Sequence, residues 1–118
     1  MNEQPLMEPG RDQAVSLKSE TRFVPNGIVS RTVLNNDDIR AVLFGFAEGQ
    51  ELSEHTSTRH ALVQILTGEC ELTLDGKPQH LKAGDLLYMA PNCPHALRAT
   101  KQFSMLLTLC KPTKKAKS

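Results

Sequence analysis

Four histidines, His55, His60, His80 and His95, are the side chains best suited to chemistry, and two of them sit in regular company. His55 follows Gly49 after five intervening residues and precedes Gly68 with twelve between. His95 comes eleven positions after Gly84, at the end of Pro91-Asn92-Cys93-Pro94-His95. An imidazole ligates first-row metals, hydrogen-bonds acidic or polar ligands, and exchanges protons near neutral pH. Other chemistries have less behind them. Cys93 with His95 suggests a nucleophile and its base, but adjacency in sequence is not adjacency of side chains, and a loop-packing role suits Cys93 better. Ser57 has no triad partner beyond His55. No phosphate-binding loop and no dinucleotide glycine fingerprint occurs. Glu48, Glu51 and Glu54 make an acidic rim ahead of His55, read as a solvated loop. His80, next to the apolar Leu81, reads as a surface residue facing water without a partner.

The elements that must position these residues are short strands. Turn signals recur at Pro25-Asn26-Gly27, Asn35-Asn36-Asp37-Asp38, Glu48-Gly49, Thr67-Gly68, Asp75-Gly76, Ala83-Gly84-Asp85 and Pro91-Asn92-Cys93-Pro94. Runs of five to eight residues between such signals predict a sandwich or barrel. Ile28–Leu34 and Ile39–Phe46 form a predicted hairpin around Asn35-Asn36-Asp37-Asp38. Cys70-Glu71-Leu72-Thr73-Leu74 alternates, which turns Cys70, Leu72 and Leu74 to the core. Asp75-Gly76 closes a two-residue turn into Gln79–Leu81, and Phe103–Cys110 is a further strand. No window carries sustained apolar spacing of three and four, so no helix is expected. Ala61-Leu62-Val63-Gln64-Ile65-Leu66 has two apolar faces: Ala61, Val63 and Ile65 on one, Leu62 and Leu66 on the other. Both faces need cover. A second copy of the chain supplies it in one reading, giving a homodimer. The segment Val15–Phe23, folded over that face, supplies it in the other.

On these residues the chain resembles a small single-domain cupin of the conserved-barrel type, over about Gly27 to Pro112. Gly49, His55 and Gly68 match the first motif of that family, and Gly84 and His95 the second. The text around them, Leu66-Thr67-Gly68, Leu74-Asp75-Gly76, Leu81-Lys82-Ala83-Gly84-Asp85 and Cys93-Pro94-His95, follows the same cadence. The departures are specific. The second histidine of the family falls on Ser57 and its glutamate on Ala61. Its proline falls on Ala90, with Pro91 beside it, its asparagine on Ala99, and its glycine on Asn92, a residue that tolerates a left-handed backbone.

The resemblance implies an all-β fold, an antiparallel double-stranded β-helix or jelly-roll barrel, in which the two motif strands bring their histidines together. It implies four ligand positions, His55, Ser57, Ala61 and His95, of which only the two histidines ligate a first-row metal well. The implied cofactor is one divalent transition metal: iron, nickel, manganese, zinc or copper. Ser57, Ala61 and Val63 are expected to line the pocket. His60 is the candidate for an extra ligand, provided that a bulge at Thr58-Arg59 turns it inward. In a regular strand it faces the other way, as Gln64 does.

Composition bounds the remaining choices. A chain of 118 residues holds one domain. The expected organisation is a flexible arm over 1–14, a domain over 15–112 and a basic tail over 113–118. Lys111, Lys114, Lys115 and Lys117 crowd the last eight residues; without them ten basic residues stand against thirteen acidic ones. That mildly acidic body argues against a nucleic-acid partner. No apolar run is long enough for a membrane helix, and Met1–Ala14 lacks the basic flank and apolar centre of a secretory signal. Three cysteines, an odd number, do not make a disulfide framework. Cys70 and Cys110 lie in apolar runs and suit buried thiols in a reducing cytoplasm. Three readings of function stay open. One is a metal-dependent enzyme acting on a small polar metabolite. Another is a metal-free ligand-binding or sensor module. The last is a structural protein whose barrel is filled by its own side chains.

Overall fold

The protein is described by a computed structural model covering residues 4–112, so Met1–Glu3 of the expected arm and the whole expected tail lie outside it. Nine strands follow one turn of helix: α1 Leu17–Glu20, β1 Ile28–Asn35, β2 Ile39–Phe46, β3 Glu51–His55, β4 His60–Thr67, β5 Glu69–Leu74, β6 Lys77–Lys82, β7 Leu86–Met89, β8 His95–Arg98 and β9 Phe103–Cys110. They form a five-stranded sheet in the order β1-β2-β9-β4-β7 and a four-stranded sheet in the order β3-β8-β5-β6. Every pairing is antiparallel. This is the double-stranded β-helix expected from the sequence, with one correction: the sheets do not close into a barrel. At the corner the β6–β7 turn hangs on β4 through single bonds, Ile65 N–H to Asp85 O and Gly84 N–H to Ile65 O. These bonds fall at the next step of the β4–β7 register, so they prolong the larger sheet without joining it to the smaller one by a ladder.

Local chemistry sets the hairpins. Asn36 Oδ1 accepts from the backbone N–H of Asp38 and Ile39, both at 2.9 Å, and so closes the β1–β2 turn. Asp75 and Gly76 both take positive φ, the requirement of a tight two-residue hairpin, between Leu74 and its cross-strand partner Lys77. Pro78 is tolerated in β6 because that strand is an edge.

Alternation along the strands builds the core between the sheets. Cys70 and Leu72 are buried and Leu74 packs against them, as expected. Phe46 and Phe103, both fully buried, stack with ring centroids 4.6 Å apart. Ala61, Val63 and Ile65 give β4 its inner face.

The outer face of β4 is covered in part by the chain itself. Leu66 joins Val33, Ala41, Leu43 and Leu106 in a second cluster against Leu6, Met7, Val15 and Leu17. Backbone bonds from Leu6 N–H to Thr32 O and from Met7 N–H to Val33 O lay this segment along β1. The helical turn α1, which the sequence did not lead us to expect, is capped by Ser16, whose Oγ accepts from Ser19 N–H. It is held to β1 by Arg31 Nη1, which donates to Glu20 O at 2.7 Å and Glu20 Oε1 at 2.8 Å. The segment stops short of β7. Leu62, Leu86 and Tyr88 stay exposed on the outer face, at 39%, 65% and 54% of their surface.

Candidate functional site

His55 ends β3 and His95 begins β8, and the two are directly paired across that ladder. Alternation puts His95 on the inner face with Leu97, and the register shift between Leu52 and His55 brings His55 to the same face as Leu52. Their Nε2 atoms lie 3.0 Å apart and their ring centroids 4.1 Å. Each ring is oriented by a main-chain carbonyl two residues upstream. His55 Nδ1 lies 2.8 Å from Ser53 O, and His95 Nδ1 lies 3.0 Å from Cys93 O. His55 is exposed and His95 half-buried, so the pair stands at a mouth open to solvent.

Hydrogen bookkeeping makes this arrangement informative. The two Nδ1···O contacts and the Nε2···Nε2 contact each need one hydrogen between their heavy atoms. Two neutral imidazoles carry two hydrogens. With both placed on Nδ1, where carbonyl oxygens accept them, two Nε2 lone pairs face each other. A positive charge between or beside them resolves the conflict. An Nδ1–H held by a carbonyl is also the arrangement that frees Nε2 for metal ligation. The two Nε2 atoms would hold such an ion and would supply it with two neutral nitrogen donors.

Behind the histidines lies a cavity of about 50 Å³ lined by Phe44, Leu52, Val63, Leu72, Met89, Leu97, Met105 and Leu107. It is far below the roughly 300 Å³ at which metabolite pockets begin. A larger concavity of about 530 Å³ lies on the outer face of the four-stranded sheet, between Glu51, Ser53, Glu71, Thr73, Ala96 and Arg98. Glu71, Thr73, Ala96 and Arg98 alternate with the inward Leu72, Leu74, His95 and Leu97, and Glu51 pairs with Arg98, so the larger space opens on the other side of the sheet from the histidines.

The other expected site residues fall as follows. Val63 lines the cavity. Ala61 is buried in the core but does not line it, and Ser57 lies in the β3–β4 loop, where its carbonyl accepts from Asn92 N–H at 2.6 Å. His60 does not reach the cavity. Its ring stacks on Tyr88 on the outer face, with Nδ1 2.6 Å from the tyrosine hydroxyl. No bulge rotates it inward, and β4 keeps regular register from His60 through Ile65 against β9 and from Ala61 through Gln64 against β7. His80 does have a partner, contrary to expectation: its Nε2 lies 2.7 Å from Glu69 Oε1, and Lys101 Nζ lies 3.2 Å from the other oxygen. Hydrogen bonds from Lys101, foremost, and with His80 hold the Glu69 carboxyl below its ordinary range. Among the described residues no group of three or more His, Cys, Asp or Glu side chains converges on one point. Asn92 takes φ of +67°, as its place in the second motif requires.

Nothing in the residue pattern singles out Met89. Both mouth loops, 56–59 and 90–94, lie at one end of the molecule and are tied by the Asn92–Ser57 bond. Met89 is the last residue before the second loop and pairs across the sheet with Ala61.

The thiols divide by burial. Cys70 is fully buried, and Cys93 and Cys110 are half-buried. Desolvation, reinforced by the negative charge of Asp85, pushes the Cys70 thiol up to about 11. An unfolded chain ionises this thiol near 9 while the folded chain does not. Its contribution to stability is therefore complete below pH 9 and lost as pH climbs from there toward 11. Native protein at pH 8 is expected to label rapidly at Cys93 and Cys110 only, with Cys70 reacting after denaturant is added. Mass spectrometry of maleimide-treated protein checks this, and rapid native modification of Cys70 contradicts it.

The comparisons agree with this architecture. Residues 42–110 match the cupin domain family, and the chain belongs to it. A conserved Streptococcus pyogenes protein of unknown function is 31% identical, with a TM-score of 0.81 over 97% of this chain and 98% of that one. A cupin superfamily protein from Desulfitobacterium hafniense is 26% identical, with a TM-score of 0.79 over 86% of this chain and 94% of that one. A cupin 2 conserved barrel domain protein from Leptotrichia buccalis is 34% identical, with a TM-score of 0.74 over 76% of this chain but 44% of that one. No curated protein sequence matches the chain. No helix among the described residues is long and apolar enough to cross a membrane.

Proposed function

We propose that this cupin holds one first-row transition-metal ion through Nε2 of His55 and His95, with water or a small polar ligand completing the coordination at the open mouth. The observation behind this reading is the pair of carbonyl-oriented imidazoles whose Nε2 atoms face each other at 3.0 Å. A bound ion supplies Lewis acidity to a ligand oxygen. The chain's own residues orient the two rings through Ser53 O and Cys93 O, and they dry the space behind with Phe44, Leu52, Leu72 and Leu97. Because that space is small and apolar, a polar ligand approaches from the solvent side of His55.

The same hydrogen count supports a second reading without metal. One additional proton makes the pair cationic, which suits a small carboxylate ligand in a binding or sensor module. Untagged protein stripped with chelator separates the two by thermal unfolding. On the metal reading, nickel or zinc at about 100 times its dissociation constant adds about 2.7 kcal/mol of stability. The joint change His55→Ala with His95→Ala abolishes that gain. Absence of any metal-dependent shift sinks the metal reading. Stabilisation by small carboxylates that persists in chelator, and is lost in the same double variant, supports the other.

The strip of Leu62, Leu86 and Tyr88 that the N-terminal segment leaves open supports a homodimer packed through the outer face of β4 and β7. Three cysteines without a disulfide support a reducing cytoplasm.

A further inference from the structure

We propose that Met89 is a third ligand and that its thioether tunes the site toward cuprous copper; this rests on the metal reading of His55 and His95. Three observations lead there. The ligand position that the family fills with glutamate is Ala61 here, a side chain that donates nothing. The residue paired with Ala61 on the neighbouring strand is Met89. Met89 lines the same cavity of about 50 Å³ as both histidines, at the end where the tied mouth loops begin.

Topology places all three donors together. His55 and His95 flank the two mouth loops from the four-stranded sheet, and Met89 flanks the second loop from the five-stranded sheet. Their side chains enter the space between the sheets from opposite walls, and the other residues lining it are hydrocarbon apart from Met105. Met105 is opposite Ile65, four residues along β4 from Ala61, so its backbone lies about 13 Å further into the sandwich. It is a floor residue, and it serves as the internal control.

Two imidazoles with one thioether, and no carboxylate converging on them, form a soft donor set. Soft donors select monovalent copper, whereas the harder divalent ions look for oxygen. No oxidation step is involved: the ion binds in the state in which it is supplied.

The test is a competition titration of stripped, untagged protein against a chromophoric cuprous chelator, under anaerobic reducing conditions. Zinc is titrated in parallel. Met89→Leu, which keeps volume and apolarity, is expected to weaken cuprous binding by about tenfold or more, the scale on which losing even a supporting partner of a ligand acts. Zinc binding and the unfolding midpoint of the stripped variant stay as in the wild type. Met105→Leu leaves both ions unaffected. If Met89→Leu binds cuprous copper as tightly as the wild type, or weakens zinc equally, the assignment of Met89 is overturned while the two-histidine site stands. If the wild type takes up neither ion, both fall together.

Discussion

Gly68→Ala is expected to cost about 4 kcal/mol or more, at the upper end of what one substitution does. Gly68 joins β4 to β5 with φ of +75°, a conformation that costs an L-residue about 1–2 kcal/mol. The larger part is steric. A Cβ at this position would overlap the carbonyl oxygen of Gln102 and stand 2.7 Å from Cα and Cβ of Phe103. Phe103 is fully buried, so it cannot yield without disturbing the core. Gly49 separates the two contributions. Its φ is +87°, but a Cβ there meets nothing within 4 Å. Gly49→Ala should therefore cost only the conformational 1–2 kcal/mol. Urea unfolding of the two variants checks the contrast, and equal losses would show that packing against Phe103 does not matter.

Phe103→Ala is expected to cost about 3–5 kcal/mol. The ring is fully buried and stacked on Phe46 in a core assembled from both sheets. Removing it leaves a void that neighbours on two ladders can fill only by shifting together. For a domain of this size the loss corresponds to a fall in melting temperature of about 15 °C or more. Phe103→Leu, which keeps most of the volume, should recover the greater part. A melting temperature within a few degrees of wild type for Phe103→Ala would mean that this stack is not central to the core.

Period-two alternation made much of the fold legible before any coordinates. Cys70, Leu72, Ala61, Val63 and Ile65 declared their inward faces because each strand is polar or differently occupied on its other side. The motif glycines and Asn92 declared their turns because few residues occupy positive φ. What escaped was short or non-periodic. β7 and β8 have four residues each and α1 a single turn, too few to show a repeat. β3 is almost wholly exposed, so its sequence lacks contrast. His80 was denied a partner because parity shows which face a residue occupies and not which register its neighbour adopts. Open sheets in place of a barrel follow from bonds at corners, and those depend on turn geometry more than on composition.

The candidate site divided in the same way. His55 and His95 were legible because spacing to glycines marks them. The two apolar faces of β4 were legible too, yet not their covers: the N-terminal segment takes Leu66 and leaves Leu62. Met89 was invisible because methionine in an apolar strand is indistinguishable from core filler. Its significance comes only from standing opposite Ala61 beside the mouth.

The place of β9 has a consequence for biosynthesis. This strand, made from Phe103–Cys110, lies between β2 and β4 in the middle of the larger sheet. Until the ribosome has released it, β2 and β4 have no shared neighbour and each keeps an unpaired edge. The five-stranded wall of the His55–His95 chamber thus cannot be completed before Phe103–Cys110 is made, whereas every strand of the four-stranded wall precedes it. Such long-range pairing predicts folding on the slow millisecond-to-second scale. It also makes nascent fragments clients for chaperones until the closing strand arrives.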